Sequence, residues 1–338
     1  MKVTDFDYFL PKELIAQNPS EKRDESKLMI INRNKMEFIH KQFNQIKDYL
    51  HKGDLLVLND SKVIPARFNG FKSTGAKVEI VLLEKISKNK WKAIVRPGGK
   101  IKKGNIFFLK GLKCIIEEHC EDSTRIIKFF GENIDERIHR FGKYAIPPYI
   151  ENYPTNPERY QTVYANINGS VAAPTAGLHF TENLLKEIKK MGVNIEFITL
   201  HVGLGTFRPV KVNEIEDHIM HNEYYSISKK TAELINDSKK AGRRVIAVGT
   251  TTVRTLESVA NKNNGIIIEG SGNTDIFIFP GFKFTIVDGI ITNFHLPKST
   301  LLMLISAFIG REKTLKAYEA AIEKKYKFFS FGDACFII

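Results

Sequence analysis

Residues 195–210 carry the sharpest hydrophobic-to-polar transition in the chain, Ile-Glu-Phe-Ile-Thr-Leu-His-Val-Gly-Leu-Gly-Thr-Phe-Arg-Pro-Val. The apolar run predicts a strand, and the two glycines after it predict a turn. Gly203 and Gly205 permit positive φ or close approach of backbone to a ligand, while Pro209 stops the ladder. His201, Thr206 and Arg208 therefore emerge where the strand ends, which is where α/β proteins place their chemistry. Three further polar clusters follow apolar runs in the same way: Asn59-Asp60-Ser61, Thr250-Thr251-Thr252-Val253-Arg254 and Asn293-Phe294-His295. Four such exits predict one shared pocket.

The remaining pattern places these exits in a layered α/β body. A short helix over 12–17, a charged loop over 19–26 and a buried strand over 28–31 open the chain. Phe43, Ile46, Tyr49 and Leu50 have helical spacing, with Gly53 just beyond, and 55–58 reads as a buried strand. From residue 70 to about 150 the texture changes to short β-rich runs, 77–83, 90–95, 106–109, 114–117 and 125–130, parted by Gly, Asn, Lys and Pro turns. That is the rhythm of a small antiparallel barrel, with Trp91 in its core and a short helix over 133–141 at its end. Thr181 caps a helix over 182–191, and helices over 230–241 and 253–260 flank a strand over 243–248. Strands over 266–268 and 275–279, an apolar helix over 301–309 and an amphipathic one over 312–326 complete the pattern. The expected architecture is a mixed-sheet α/β main domain from residues 1–69 and 151–338, with residues 70–150 inserted as a basic β-barrel domain.

At 338 residues and 43% hydrophobic content the chain can bury a large core, and its length favours two domains. It has no apolar run of the about 18 residues that a membrane helix needs. Lys2, Asp5, Asp7, Lys12, Glu13, Lys22, Arg23 and Asp24 make its start too charged for a signal peptide, so a cytoplasmic protein is expected. Cys114, Cys120 and Cys335 lack C-x-x-C spacing and read as reduced thiols. The net charge of +13 would attract a polyanion such as RNA, although the abundance of Lys, Asn and Ile also fits compositional drift. Residues 70–150 hold 17 basic and 9 acidic side chains, +8 of the +13, so a local basic surface is predicted there.

Each polar cluster has a structural reading beside the chemical one. Asp60-Ser61 could form an Asx or helix-cap turn. The threonines at 250–252 could grip a carboxylate or phosphate on free helix N–H groups, with Arg254 adding charge, or one could simply cap the helix. His218 and His221, at i and i+3, could share a metal on a helix, but no third ligand is evident nearby, and no metal is expected.

Taken together, Asn59 to Arg67, Ala173-Pro174-Thr175-Ala176-Gly177-Leu178-His179-Phe180-Thr181, His201 to Val210, Gly249 to Glu257, Asn293 to Leu302 and Phe328-Phe329-Ser330-Phe331-Gly332-Asp333-Ala334 resemble the successive signatures of the S-adenosylmethionine:tRNA ribosyltransferase-isomerase family of the queuosine pathway. The resemblance runs the length of the chain. It implies a transferase that moves the ribosyl portion of S-adenosylmethionine, its co-substrate, onto the aminomethyl group of preQ1 at the tRNA wobble position. Epoxyqueuosine forms, and adenine and methionine leave. Such chemistry needs a base for the acidified C5′ protons, a proton donor for adenine and hydrogen bonds for an aldehyde oxygen. On this resemblance Asp60, His179, His201 and His295 are the acid/base candidates. Ser61, Arg67, Phe180, Gly203, Gly205, Thr206, Arg208, Thr250, Thr251, Thr252, Arg254, Asn293 and Ser299 are the substrate-binding candidates. The implied partners are tRNA, through its preQ1-containing anticodon arm, and S-adenosylmethionine, with no membrane and a monomeric enzyme. Leu204, Thr252, Lys27, Lys62 and Lys298 depart from the family's usual residues; lysine keeps charge but loses the bidentate fork.

Two other readings make different predictions. A conventional methyltransferase would show a Gly-rich loop after its first strand and an acidic residue ending its second, an arrangement not found here. An RNA-binding module would bind tRNA without turnover and survive Asp60→Ala or His201→Ala.

Overall fold

The computed structural model describes residues 1–99, 101–120, 123–151, 153, 156–203 and 210–338. By contact density the chain divides into two units, one of residues 1–61, 148–167 and 174–338, the other of residues 62–147 and 168–173. Strands are numbered along the chain. β1 (Lys27–Ile31), β2 (Phe38–Gln42), β3 (Leu55–Asn59) and β4 (Ser61–Val63) come first. β5 (Arg67–Lys72), β6 (Lys77–Ser87), β7 (Lys90–Arg96), β8 (Ile106–Leu109), β9 (Leu112–His119) and β10 (Arg125–Phe130) follow. After β11 (Ile167–Ser170) come β12 (Asn194–Leu200), β13 (Glu223–Ile227), β14 (Val245–Val248), β15 (Gly270–Thr274), β16 (Gly289–Asn293) and β17 (Ala334–Ile337).

The first unit is a nine-stranded mixed sheet in the order β15-β13-β12-β3-β14-β16-β17-β1-β2. Its centre, β12, β3, β14 and β16, is parallel, and β3 (Leu-Leu-Val-Leu-Asn) is buried at every position, as a strand covered on both faces must be. One face packs Phe43, Ile46, Phe180, Leu184 and Ile188 against Leu56, Leu58, Ile195, Ile246 and Val248. Each fully buried Leu, Ile or Phe contributes roughly 1.5–3 kcal/mol, so this cluster fixes which residues can lie at the strand ends. The helices of this unit are α2 (Glu182–Lys190), α3 (Lys229–Lys240), α4 (Thr250–Lys262), α5 (Thr300–Ile309) and α6 (Arg311–Glu323), α1 (Ile134–Phe141) belonging to the other. Thr181 caps α2 by accepting from the Leu184 N–H at 3.1 Å.

The second unit contains a closed barrel, β10-β7-β6-β5-β8-β9, antiparallel throughout, with Trp91, Phe107 and Phe129 buried. The mixed α/β body and the antiparallel barrel are those expected from the sequence.

Several elements differ from the pattern-based reading. The segment expected to be α-helical over 41–50 ends β2 at Gln42 and continues as a 3-10 helix over Phe43–Tyr49. Its buried pair, Phe43 and Ile46, has i,i+3 spacing, which the three-residue turn aligns better than the α period. The strands expected over 266–268 and 275–279 are absent; β15 lies between them, where Gly272 meets the Tyr225 ring without a Cβ. Backbone pairing with β13 decides this, and Ile266 and Ile268 stay exposed. Helix α4 begins at Thr250 rather than Val253, so all three threonines lie inside its first turn.

Candidate active site at the strand ends

The parallel strands β12, β3, β14 and β16 are neighbours, so all four polar exits open on one edge of the sheet. With strands about 4.8 Å apart they span roughly 15 Å. Strand β3 has later strands on both sides, the arrangement that opens a crevice in α/β sheets.

Asn59 closes β3 and is fully buried. Its Nδ2 donates to the Leu200 carbonyl at 2.9 Å and the Thr251 hydroxyl at 3.4 Å, while its Oδ1 accepts from the N–H groups of Ser61 and Leu200, both at 3.0 Å. One side chain thus ties the ends of β3 and β12 to the first turn of α4. Asp60, next in sequence, is half-buried and accepts the Thr199 hydroxyl at 2.7 Å. Burial raises its carboxyl pKa above the ordinary value, against the lowering pull of hydrogen bonds from Thr199 and Asn166. Ser61 places its hydroxyl 2.9 Å from Nδ1 of His201. The His201 ring stacks on Tyr224 with centroids 5.5 Å apart, and burial lowers its pKa, leaving a neutral imidazole. Among the described residues Nε2 of His201 has no hydrogen-bond partner.

At the third exit, Gly249 adopts φ 88°, a left-handed value that favours glycine, and α4 starts immediately after it. Thr252 donates to the Val248 carbonyl at 2.7 Å and Thr251 receives Asn59. Arg254 is not a free fork. It forms a buried ion pair with Glu223 and donates through Nε to the Ile276 carbonyl at 3.2 Å. Glu223 in turn accepts the Gly203 N–H at 3.0 Å, so Arg254 acts on the glycine turn through a carboxylate.

The fourth exit is internally satisfied. Asn293 donates through Nδ2 to Nε2 of His179 at 3.1 Å and accepts the Thr175 hydroxyl at 3.0 Å. Read from that network, Nδ1 of His179 donates to Ser26 at 2.7 Å. The ring stacks on Phe43, 5.0 Å between centroids, and burial, reinforced by Arg23, lowers its pKa to about 3. His295 is likewise buried, with Nε2 3.1 Å from the Thr292 hydroxyl and its pKa lowered to about 3 by burial. Its carbonyl accepts the Tyr8 hydroxyl, and its N–H donates to that of Tyr318 at 3.1 Å.

The other candidates fall outside this cluster. Phe180 is fully buried, edge-on to Phe43. Ser299 caps α5, accepting from Leu302 N–H at 3.2 Å. Arg67 opens β5 in the barrel and pairs with Glu79 at 2.9 Å. Gly205, Thr206 and Arg208 lie outside the described residues. His218 and His221 follow a 3-10 turn, not a helix, and His218 packs edge-on against Phe277. Among the described residues no group of three or more His, Cys, Asp or Glu side chains is placed to hold a metal.

Three members of the cluster were not foreseen: Thr199, Glu223 and Tyr224. Strand alternation puts Thr199 on the same face of β12 as His201, a signal present in the sequence. The aromatic run Tyr224-Tyr225 had the composition of a strand.

Residues 3–337 match the family model described as queuosine biosynthesis protein. A Clostridium kluyveri protein named S-adenosylmethionine:tRNA ribosyltransferase-isomerase is 54% identical over 341 residues, covering 100% of each chain. A Thermosipho melanesiensis protein of the same name is 54% identical over 339 residues, again covering 100% of both. The crystal structure of an S-adenosylmethionine tRNA ribosyltransferase from Thermotoga maritima is 40% identical, with a TM-score of 0.58 over 99% of this chain and 100% of that one. With the match spanning the whole chain, this protein belongs to the queuosine biosynthesis protein family.

Proposed function

We propose that the chain is an S-adenosylmethionine:tRNA ribosyltransferase-isomerase, transferring and isomerising the ribosyl portion of S-adenosylmethionine onto the 7-aminomethyl group of preQ1 at the tRNA wobble position. Epoxyqueuosine-tRNA, adenine and methionine are the products. The observation that carries the reading is the adjacency, at the β3 and β12 exits, of a carboxylate with a raised pKa and a neutral imidazole, each oriented by a hydroxyl, in a chain of this family. Asp60 is the base that removes a C5′ proton acidified by the sulfonium. With Nδ1 of His201 accepting from Ser61, its Nε2–H faces the departing adenine as a donor. His179 and His295 are positioning residues, since both are buried and held neutral. The Thr250–Thr252 turn and the stretch containing Gly205, Thr206 and Arg208 contact the substrates. Enzyme and tRNA meet in the cytoplasm, with the protein a monomer and the basic segment 70–150 raising affinity for the anticodon arm.

The test is mass spectrometry of a preQ1-containing tRNA, with chromatography for adenine, after incubation with enzyme and S-adenosylmethionine. Adenine released in step with a ribosyl-derived mass gain supports the reading. A methyl-sized gain, or tight binding without either product, overturns it.

A further inference from the structure

Three arginines elsewhere in the fold pair with carboxylates: the partly buried Arg244 with Asp54 at 2.5 Å and Arg67 with Glu79 at 2.9 Å, and the buried Arg254 with Glu223. Arg23 and Arg159 do not. Both border a narrow cleft whose wall includes Leu178, His179, Ser330 and Phe331. Among the described residues neither has an acidic partner, and each leans on backbone carbonyls instead. Arg23 donates through Nη1 to Leu178 at 3.0 Å; Arg159 donates through Nη1 to Glu21 at 3.1 Å and through Nη2 to Ser20 at 2.6 Å. Among the described residues, Nε of Arg159 is buried with no hydrogen-bond partner. The two guanidiniums also repel each other, since Arg159, after burial, lowers the pKa of Arg23. Two like charges held together in a partly desolvated cleft cost free energy that an anion between them recovers.

We infer that this cleft is an oxyanion subsite, in which Arg23 and Arg159 together hold a single carboxylate or phosphate group of a substrate. The cleft is far too narrow to enclose a whole small molecule, so it receives one charged group at its mouth and not a nucleoside. It adjoins the chemistry. The Tyr164 phenol interacts electrostatically with both Asp60 and Arg23, and among the described residues its buried hydroxyl has no hydrogen-bond partner, so the subsite lies one tyrosine from the proposed base. The two sources of such a group are the methionine carboxylate of S-adenosylmethionine and a backbone phosphate of the RNA; the identity of these substrates rests on the function proposed above.

Full-length wild type, R23Q, R159Q and R159K would be compared by calorimetry with S-adenosylmethionine and by fluorescence anisotropy with a preQ1-containing anticodon stem-loop, with thermal unfolding as the control for folding. Losing a charge-assisted fork weakens binding by about tenfold or more. A loss of that size for S-adenosylmethionine alone assigns the subsite to its carboxylate; the same loss for the stem-loop alone, with a shallower salt dependence, assigns it to a phosphate. R159K, which retains the charge beside the Ser20 and Glu21 carbonyls but not the fork, must weaken the same ligand even if the glutamine variants unfold. Both affinities within about twofold of wild type in folded R159K and R23Q overturn the inference. A wild type that binds both ligands but releases no adenine would instead overturn the function and leave the subsite standing.

Discussion

The Ser61 hydroxyl lies 2.9 Å from Nδ1 of His201, and the backbone N–H of Ser61 is itself fixed by Asn59 at 3.0 Å, so the imidazole is aimed by two residues, 59 and 61, of one strand exit. His201→Ala is expected to lower kcat by about 10²–10⁴-fold, the range of a lost proton-transfer or donor group. Ser61→Ala should cost roughly tenfold, with KM for S-adenosylmethionine little changed. Steady-state kinetics on a preQ1-containing stem-loop would decide; equal losses in kcat for Ser61→Ala and His201→Ala would mean that Ser61 does more than orient the ring.

Asp60 acts as a base only when ionised, so activity should fall as pH drops through its raised pKa. The Thr199 hydrogen bond favours the charged form, and its removal raises that pKa further. Thr199→Val is therefore expected to move the acid limb of the kcat/KM profile to higher pH without abolishing activity. An unmoved limb would show that another group sets it.

His179 and His295 are depressed in the folded state to about 3, from an ordinary 6.5. Below pH 6.5 the unfolded chain takes up protons that the folded chain refuses, so stability is fully present above 6.5 and declines as pH falls towards 3. At pH 5 the two together cost on the order of 4 kcal/mol relative to neutral pH. Asp60, Glu257 and Asp333, whose carboxyls burial pushes up, act in the opposite sense closer to their ordinary range. Urea denaturation between pH 7.5 and 5 should reveal the decline, and His179→Gln should flatten it; identical slopes would locate the acid sensitivity elsewhere.

Gly177 packs where a Cβ would lie 1.9 Å from the Tyr164 hydroxyl and 2.8 Å from Cγ2 of Thr162. Gly177→Ala must displace Tyr164, at a cost of about 1–3 kcal/mol. Adding Tyr164→Phe removes the atom nearest the clash and should restore part of the loss, a non-additivity readable in a double-mutant cycle. Strict additivity would place the strain in the backbone instead.

Glu223 and Arg254 form a buried pair, and Glu223 also holds the Gly203 N–H. Truncating Glu223 leaves a cation in the interior, so Glu223→Ala is expected to destabilise by about 3–5 kcal/mol. The double variant Glu223→Ala/Arg254→Met should recover much of that. Chemical denaturation of the wild type and the two variants is the check.

The strand exits at Asn59, His201, Gly249 and Asn293 were legible because each ends an apolar run and four parallel neighbours must end on the same edge. The barrel was legible from its turn rhythm. What alternation could not show was partnership across long separations. Glu223 meets Arg254 31 residues away, which turns an apparent ligand fork into a structural pair, and Asn293 occupies His179 across 114 residues. Phe180 and Ser299 carried motif identity but serve the core and a helix cap, a distinction set by burial and geometry that a linear pattern does not hold.

β17 sits between β16 and β1, so among the described residues it is through residues 334–337 that the β1–β2 hairpin joins the rest of the sheet. During synthesis the ribosome releases Leu28–Ile31 some three hundred residues before their partner Ala334–Ile337 exists. Until then the apolar run Leu28–Ile31 has an open edge, the kind of surface that pairs with other chains. The sheet therefore closes only once Ala334–Ile337 have emerged, and nascent chains arrested before Ala334 should depend on chaperones in a way that chains containing β17 do not.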